Sequence, residues 1–326
     1  MLATMRMIGT LVLVLSLSAC VGDANLKADS PAPASVAECS ADNQKALLAD
    51  DSFRVALWQQ TAAEYDALSF QVFARAQSRL KPMLKRPRGS AVDRGEYAGS
   101  NRGKPAAIIS DIDETLLDNS GFMVRQMREP MPACLSIGDA YAEWVRRWFE
   151  WAEEAQAPPM PGAVAFMQQA ADQGVRIFYV TNRKDSEKTA ACENLIKAKF
   201  PLDDCAAQVL TRNDEAGRGR DKVSRRQQVA QKYRVLMLFG DNLGDFIGNV
   251  QTDETQRDAL VAAKQNWWGR RWFMLPNAGY GSWEEIQGRL DESAQSFGTA
   301  TERNAAVRAL KEARLQDCRQ RKCLQP

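Results

Sequence analysis

The 326-residue chain contains no histidine. This absence excludes Ser-His-Asp triads, histidine metal sites and imidazole acid–base chemistry. The chain also lacks an excess of charge of either sign, because its formal net charge is only +2. Without a basic field we expect no binding to a nucleic acid polymer. Any catalysis must therefore rely on carboxylates, Lys, Thr or Cys.

Long hydrophobic runs are scarce as well. The apolar run near the N-terminus, Leu11 to Leu17, is too short to span a membrane. It follows Arg6 and precedes small residues, an arrangement typical of a secretory signal peptide. We therefore assign residues 1–19 to a signal peptide.

The string Leu-Ser-Ala-Cys resembles a bacterial lipobox, in which Cys20 becomes the lipidated first residue of the mature chain. The alternative is an ordinary signal peptide cleaved near Ala19. Val21, rather than Asp, follows the cysteine and favours the outer membrane if the source is Gram-negative, with a periplasmic or cell-surface orientation left open. Residues 20–40, rich in Ala, Pro, Ser and Asp, would form a flexible tether.

Six further cysteines follow: Cys39, Cys134, Cys192, Cys205, Cys318 and Cys323. An even count in an exported chain permits disulfides, and six cysteines allow 15 pairings. The short separations favour Cys192–Cys205 and Cys318–Cys323, which leaves Cys39 with Cys134. A zinc site is disfavoured, because the chain has neither a Cys-x-x-Cys pair nor a histidine.

A short apolar run leads into a cluster of acidic residues. Ala106 to Ile109 predicts a buried strand, and Asp111, Asp113, Glu114 and Asp118 follow it. Carboxylates at this end of a strand lie at the crevice where open α/β sheets bind ligands. A calcium loop of the EF-hand type is excluded, because its required Gly and Glu positions carry Leu and Phe. Since neighbouring carboxylates repel, the cluster indicates a bound cation.

Four motifs in order carry a resemblance to a known family. The string Asp-Ile-Asp-Glu-Thr-Leu-Leu-Asp-Asn-Ser after the strand resembles the first motif of the haloacid dehalogenase (HAD) phosphatases, in its class C acid phosphatase form. Ser110 departs from relatives that carry another acid or Phe there. Thr-Asn-Arg at 181–183, Asp-Lys followed by paired Arg at 221–226, and Gly-Asp-Asn-Leu-Gly-Asp-Phe at 240–246 resemble the other three motifs. The resemblance spans roughly residues 51–283.

The resemblance implies a catalytic mechanism for these residues. Asp111 would attack phosphorus and form an aspartyl-phosphate, while Asp113 would protonate the leaving oxygen and later activate water. Thr181, the Asn182 backbone and Lys222 would bind the phosphoryl oxygens. The substrate would be a small phosphate monoester, nucleoside 5′-monophosphates included.

The resemblance also implies Mg²⁺, which prefers oxygen ligands. Its expected ligands are the Asp111 carboxylate, the Asp113 backbone carbonyl and Asp241. Asp245 would hold a metal-bound water or Lys222. Asp118 and Asn119 are expected to brace the loop.

A small cap is implied over the site, drawn from about residues 45–100 and 120–160. Its aromatic-rich helix, Ala140 to Glu154, contains Trp144, which could stack a nucleobase; packing inside the cap is the alternative. Met131 follows Pro130, where nucleotide-hydrolysing relatives tend to have an aromatic. Tyr280, in a segment that resembles class C members, is a further candidate for base stacking.

Strand–helix alternation with acidic strand ends predicts a three-layer α/β fold with a mostly parallel sheet. The phosphatase domain would cover residues 41–300, with a helical tail at 301–326. The remaining predicted strands are Val175–Val180, Val209–Thr211 and Val235–Phe239, the last being the final buried strand. The predicted helices are Asp51–Leu80, Ala163–Gln173 and Ser186–Lys199, one from Asp221 and one after Asp291.

Two other functions use the same residues. A surface lipoprotein could capture a nucleotide or another small molecule without turnover. A phosphotransferase could pass the phosphoryl group from the same intermediate to an alcohol. The sequence does not set the oligomeric state, and a dimer stays among the options.

Overall fold

The computed structural model describes residues 52–132, 134–213, 215–216, 218–287, 297–313 and 315. The predicted signal peptide and tether, with Cys20 and Cys39, lie outside these residues, as do Cys318 and Cys323. Contacts between Cα atoms divide the chain into two compact units. The larger comprises 48–130 and 146–283, and the smaller comprises 1–47, 131–145 and 284–326. Among the helices of the described residues, none combines the length and hydropathy needed to cross a membrane.

Five strands of the larger unit form one sheet in which every neighbouring pair is parallel. The strands are β1 (Ala106–Ser110), β2 (Arg176–Lys184), β3 (Val209–Arg212), β4 (Arg234–Gly240) and β5 (Trp272–Met274). Their spatial order is β3-β2-β1-β4-β5. The predicted α/β class with a parallel sheet is confirmed. The prediction that Val235–Phe239 is the final buried strand is wrong, because β5 follows it in the chain and pairs with β4 at its outer edge.

Eleven helices accompany the strands in the described part of the chain. They are α1 (Ser52–Thr61), α2 (Ala63–Leu84), α3 (Ser120–Arg128), α4 (Ile137–Glu154), α5 (Ala163–Asp172), α6 (Lys188–Lys197), α7 (Cys205–Gln208), α8 (Val223–Lys232), α9 (Glu254–Ala263), α10 (Ser282–Gln287) and α11 (Ala300–Glu312).

The first predicted helix is in fact two helices. Ala62 adopts an extended conformation (φ −88°, ψ 119°) and separates α1 from α2. The predicted end at Leu80 is also too early, since α2 continues to Leu84 and Pro82 lies within its last turn. A proline there removes only one intrahelical hydrogen bond, so the helix continues for two more residues.

The second strand extends four residues beyond its predicted end. Thr181, Asn182 and Arg183 therefore lie inside β2, and a 3₁₀ turn, Asp185–Glu187, separates the strand from α6. The predicted end of this strand at Val180 is therefore four residues too early. Alternation along a strand places Thr181 and Arg183 on one face of the sheet.

The core of the larger unit packs against both faces of the sheet. Every residue of β4 is buried, as expected for a strand covered on both sides. Phe239 of β4 stacks on Phe73 of α2, with ring centroids 5.6 Å apart, and on Phe273 of β5, with centroids 4.9 Å apart. This aromatic column fixes the central strands beneath the polar residues at their carboxyl ends.

The chain order reverses between β1 and β4. From β1 the chain continues to β2 and β3 on one side, whereas β4 lies on the other side of β1. The backbone of Asp111 extends the pairing, because its N–H donates to the Phe239 carbonyl at 3.0 Å. In open α/β sheets this reversal opens a crevice at the carboxyl ends of the strands.

A disulfide joins Cys192 and Cys205, as predicted, across a sequence separation of 13. Cys134 is also disulfide-bonded. The predicted Cys39–Cys134 and Cys318–Cys323 pairs involve residues outside the described ranges, so both stay predictions.

The described part of the smaller unit includes α11, which lies within the region predicted to be helical. The N–H of Ala300 donates to the Leu135 carbonyl at 3.0 Å, and Lys311 pairs with Glu284. The first contact joins residues 131–145 to the C-terminal stretch of this unit, and the second lies within that stretch.

Candidate active site

Three carboxylates converge at the crevice between β1 and β4. Asp111 follows β1, Asp241 follows β4, and Asp245 ends the 3₁₀ turn after it. One oxygen of each carboxylate lies within 4.8 Å of the others. Gly240 permits this turn, because a Cβ at that position would lie 2.3 Å from the side chain of Asp245.

Lys222 connects two of these carboxylates. Its Nζ lies 2.6 Å from Oδ1 of Asp111 and 2.6 Å from Oδ1 of Asp245. Burial lowers the pKa of Lys222, but the charges of Asp111 and Asp245 outweigh burial and raise that pKa above its usual value. The ammonium group therefore stays charged within the cluster.

Asp241 is held by two neutral donors. The Thr115 hydroxyl donates to its Oδ1 at 3.0 Å, and the Asn277 amide donates to its Oδ2 at 2.8 Å. Burial, and then the nearby charge of Asp245, raise the pKa of Asp241 to about 6. Burial also raises the pKa of Asp111 well above its usual range, despite the opposing charge of Lys222.

The donor set of this cluster fits a hard divalent cation. All three converging side chains offer carboxylate oxygens, which are the ligands that Mg²⁺ prefers. The raised pKa values of Asp111 and Asp241 reflect burial and mutual repulsion that a cation would relieve. The cluster is thus a possible metal site, and its donor chemistry does not by itself select one metal.

The Asp113 carboxylate is bound by Arg183 and not by Lys222. Arg183 donates from Nη2 to Oδ1 at 2.7 Å and from Nε to both carboxylate oxygens at 3.1 Å. Asn119 donates to Oδ1 at 2.9 Å, and the Thr181 hydroxyl lies 3.4 Å from Oδ2. Burial raises the pKa of Asp113, but Arg183 outweighs burial and lowers that pKa below its usual value.

Two tryptophans of α4 lie behind these donors. The guanidinium carbon of Arg183 lies 5.4 Å from the ring centroid of Trp148, whose Nε1 donates to Glu187 at 2.6 Å. Trp151 donates from Nε1 to Oδ1 of Asn119 at 2.8 Å. Asn119 therefore contacts Asp113 directly, beyond the loop bracing expected from the sequence.

The predicted phosphate-binding residues lie at the end of β2 and the start of α8. Thr181 is buried, and its hydroxyl accepts the Arg183 N–H at 3.1 Å. Arg225 of α8 donates to the Thr181 carbonyl and, at 2.8 Å, to Oδ1 of Asn182. These contacts fix the strand end beside Lys222, which immediately precedes α8.

The predicted substrate-binding residues are more widely distributed. Tyr280 is exposed on the loop that follows β5, and Asn277 of that loop contacts Asp241. Met131 and Trp144 belong to the smaller compact unit. Their assignment stays a prediction, as do the chemical roles assigned to the other site residues.

Four residues had no role predicted from the sequence: Arg183, Thr115 and Asn277, which contact the site carboxylates, and Glu187, which contacts Trp148. Arg183 could have been found, because it follows Thr181 by two residues at a strand end, where alternation places both on one face. Thr115 lies within the first motif and could have been weighed as a donor. Asn277 and Glu187 carry no local signal, since only the tertiary fold brings them close.

A parallel α/β sheet with paired acidic strand ends and a buried Lys is the arrangement of a HAD-like phosphatase. The family model of HAD superfamily, subfamily IIIB (acid phosphatase), matches residues 36–283. The chain belongs to this family, whose members are phosphoric monoester hydrolases.

Solved structures of similar proteins agree with this assignment. A class C acid phosphatase from Bacillus anthracis with tungstate bound is 26% identical, with a TM-score of 0.66, and the match covers 82% of this chain and 97% of that one. Another structure of the class C enzyme from Bacillus anthracis is 25% identical, with a TM-score of 0.65, and the match covers 83% and 98%.

A match to a plant acid phosphatase covers a smaller part of both chains. Acid phosphatase 1 of Solanum lycopersicum is 26% identical over 162 residues, which is 48% of this chain and 58% of that protein. The match therefore spans little more than half of that relative's length.

Proposed function

We propose that the chain is a Mg²⁺-dependent acid phosphatase that hydrolyses small phosphate monoesters through an aspartyl-phosphate. The observation that carries the proposal is the convergence of Asp111, Asp241 and Asp245 within 4.8 Å, with Lys222 bridging two of them. Phosphate monoesters are anionic and hydrolyse extremely slowly unaided. Such an enzyme needs a positioned nucleophile beside concentrated positive charge.

Asp111 is the proposed nucleophile. Its carboxylate oxygen forms the bond to phosphorus, and the bond from phosphorus to the leaving oxygen breaks with its electron pair on that oxygen. Lys222, whose Nζ lies 2.6 Å from Oδ1 of Asp111, is proposed to bind a phosphoryl oxygen. The Thr181 hydroxyl and the Asn182 backbone N–H are the other proposed donors.

Asp113 is the proposed acid and base. It delivers a proton to the leaving oxygen in the first step and takes one from the attacking water in the second. Arg183 donates hydrogen bonds to the Asp113 carboxylate. Only its backbone carbonyl is therefore proposed as a metal ligand.

Asp111, Asp241 and the Asp113 carbonyl would hold the divalent cation, and Asp245 would hold a metal-bound water or Lys222. When bound, the cation supplies positive charge that lessens the repulsion between the Asp111 carboxylate and the anionic phosphoryl group. The tungstate of the Bacillus anthracis enzyme is an oxyanion, which supports an anion site in this chain as well.

Nucleoside 5′-monophosphates are among the proposed substrates. The exposed ring of Tyr280 lies on the loop joined to Asp241 through Asn277. Aromatic faces bind nucleobases with little sequence preference. Trp144 and Met131 keep their proposed role as base contacts on the grounds of sequence alone.

The proposed location is the outer membrane, through acylation of Cys20. The lipobox-like string Leu-Ser-Ala-Cys and Val21 support it. Labelling with radioactive palmitate tests this proposal: we expect label in the full chain and none in Cys20→Ala. Equal labelling of both chains would contradict it.

A substrate panel tests the enzymatic proposal. Purified protein is given p-nitrophenyl phosphate, AMP and sugar phosphates at mildly acidic pH, with Mg²⁺ or with EDTA. We expect phosphate release that EDTA abolishes and a preference for AMP. Equal rates on all substrates would indicate a general acid phosphatase, and no release from any would favour a binding lipoprotein.

A further inference from the structure

Two neighbouring arginines of α8 are fully buried, but their charges meet different partners. Arg226 donates to both carboxylate oxygens of Glu96, at 2.8 and 2.6 Å. Within the part of the chain that the structure describes, the acceptors of Arg225 are backbone carbonyls and one side-chain amide. A buried cation is costly unless it is paired or hydrogen-bonded. Arg225 therefore depends on the two segments of chain that supply these acceptors.

The first segment is the end of β2. Arg225 donates from Nη1 to the Thr181 carbonyl and from Nη2 to Oδ1 of Asn182 at 2.8 Å. The Thr181 carbonyl and the Asn182 N–H belong to one peptide group, which is planar and trans, since the described residues contain no cis peptide bond. In a trans peptide group the N–H points opposite to the carbonyl. Arg225 therefore fixes the direction of the Asn182 N–H, which points away from the guanidinium.

The second segment is the turn before α8. The same Nη2 of Arg225 donates to the Gly219 carbonyl at 2.8 Å, and the Asp221 carbonyl lies 3.4 Å from it. Lys222 follows directly and is the last residue before the helix. One guanidinium thus joins the two segments that carry the proposed phosphoryl donors, the Asn182 N–H and the Lys222 ammonium group.

We propose that Arg225 is a positioning residue that directs the Asn182 N–H at the phosphoryl group and sets its spacing from Lys222. This inference rests on the proposed function. The donors of a guanidinium have fixed directions, so a guanidinium bonded to both segments limits their relative movement. An ammonium group has the same charge but lacks this fixed pair of donors. Donors that are held in place before an anion arrives need no reorganisation when it binds.

Binding of inorganic phosphate measures this role without turnover. Phosphate is the anion that the proposed phosphoryl site would accept. Isothermal titration in saturating Mg²⁺ gives its dissociation constant and its stoichiometry separately. Misfolded protein lowers the stoichiometry and leaves the dissociation constant of the folded protein unchanged. An arginine with a merely structural role would therefore change stability without changing phosphate affinity.

The variants are Arg225→Lys, which keeps the charge without the paired donors, and Arg225→Gln, which removes the charge as well. Arg234→Lys is the matched control. Arg234 is also buried, and it donates to the carbonyls of Met83 and Arg86 at 3.1 and 2.8 Å. It begins β4, however, at the opposite end of that strand from Asp241.

We expect phosphate to bind at least about tenfold more weakly to both Arg225 variants, because a lost hydrogen bond to a charged group costs about that factor or more. We expect wild-type phosphate affinity in Arg234→Lys. Titration of Mg²⁺ into the metal-free protein should give the wild-type dissociation constant in Arg225→Lys, since Arg225 donates to none of the proposed metal ligands.

Asn182→Ala tests the same contact without changing a buried charge. Asn182 is exposed, and the substitution keeps its backbone N–H while removing the Oδ1 that accepts from Arg225. We expect weaker phosphate binding in Asn182→Ala. Arg225→Lys should weaken binding less in that background than it does alone, because both substitutions disturb one contact.

Several results would overturn the inference while leaving the proposed function intact. Wild-type phosphate affinity in Arg225→Lys would show that charge alone suffices, and an equal loss in Arg234→Lys would show a general structural effect. A loss of Mg²⁺ affinity in Arg225→Lys as large as the loss of phosphate affinity would do the same. If neither Arg225 variant folds, unchanged affinity in Asn182→Ala would overturn the inference. Lack of phosphate release by the wild-type enzyme would instead end the proposed function, and this inference with it.

Discussion

The Asn277 amide donates to Oδ2 of Asp241 at 2.8 Å, although 36 residues separate the two in sequence. The same side chain accepts the Gly279 N–H at 2.8 Å through its Oδ1. Asn277 therefore joins a carboxylate of the possible metal site to the backbone of the loop that presents Tyr280. Groups that orient metal ligands in this way commonly strengthen metal binding.

Replacement of Asn277 by Ala is expected to weaken Mg²⁺ binding by about 10- to 100-fold, the usual effect of removing a ligand's hydrogen-bond partner. Isothermal titration of Mg²⁺ into the metal-free protein measures this effect without any substrate. Asn266→Ala is the control, because Asn266 is exposed in a turn. An unchanged dissociation constant in Asn277→Ala would show that Asp241 needs no such support.

Replacement of Lys222 by Met is expected to destabilise the metal-free protein by about 3 kcal/mol or more, because two buried carboxylates lose their shared cation. Urea unfolding in EDTA near neutral pH measures the change. Lys232→Met, at the exposed last residue of α8, the helix that Lys222 precedes, should change the free energy of unfolding by less than about 0.5 kcal/mol. Equal effects of the two substitutions would mean that Asp111 and Asp245 do not depend on Lys222.

The stability of the metal-free protein should fall as pH rises from 3.8 to about 6, because Asp241 has the higher pKa in the folded state. The folded protein binds this proton more tightly than the unfolded chain, so the stabilisation present at low pH is lost through that window. Melting temperatures measured in EDTA across it should decline, and Asp241→Asn should reduce the slope.

Added Mg²⁺ provides the complementary measurement. Metal binding requires ionised carboxylates, so the rise in melting temperature on adding Mg²⁺ should be larger above pH 6 than below it. A Mg²⁺ effect that is independent of pH would contradict the assignment of Asp241 as a ligand.

Loss of the Cys192–Cys205 disulfide should lower the free energy of unfolding by about 3 kcal/mol, since closure of a loop of this length restricts the unfolded chain. Cys205→Ser removes the bond and leaves the buried Cys192 side chain in place. Ala206→Ser, exposed in the same short helix, is the control. A loss of less than about 1 kcal/mol would show that the bond contributes little beyond the native contacts.

The sequence predicted those parts of the fold that local patterns specify. The apolar run of β1 and the acidic residues after it are adjacent in sequence, so both the strand and the crevice at its end were predictable. Strand β5 was not, because its three residues, Trp272–Met274, give too short a run to distinguish a strand from a loop. The break between α1 and α2 was also missed, since Ala62 is a strong helix former and local propensity gives no reason for it to be extended.

The site was predictable to a similar extent. Asp111, Asp241 and Asp245 lie at the ends of two predicted strands, and parallel pairing of those strands brings them together. The partners of Asp113 depend on long-range packing: Arg183 is 70 residues away and is oriented by Trp148 of another helix. A sequence pattern reports the strand end on which Arg183 lies, but not which carboxylate it contacts.

The nucleophile is the central claim, and the rate of phosphate release by Asp111→Asn tests it most directly. The wild-type enzyme, Asp111→Asn and the exposed control Asp172→Asn are compared on p-nitrophenyl phosphate with saturating Mg²⁺. We predict that Asp111→Asn loses more than about a thousandfold in kcat, as expected when a covalent nucleophile is removed, while the control is unaffected. A loss of less than about tenfold, about 1.4 kcal/mol of barrier, would contradict the account.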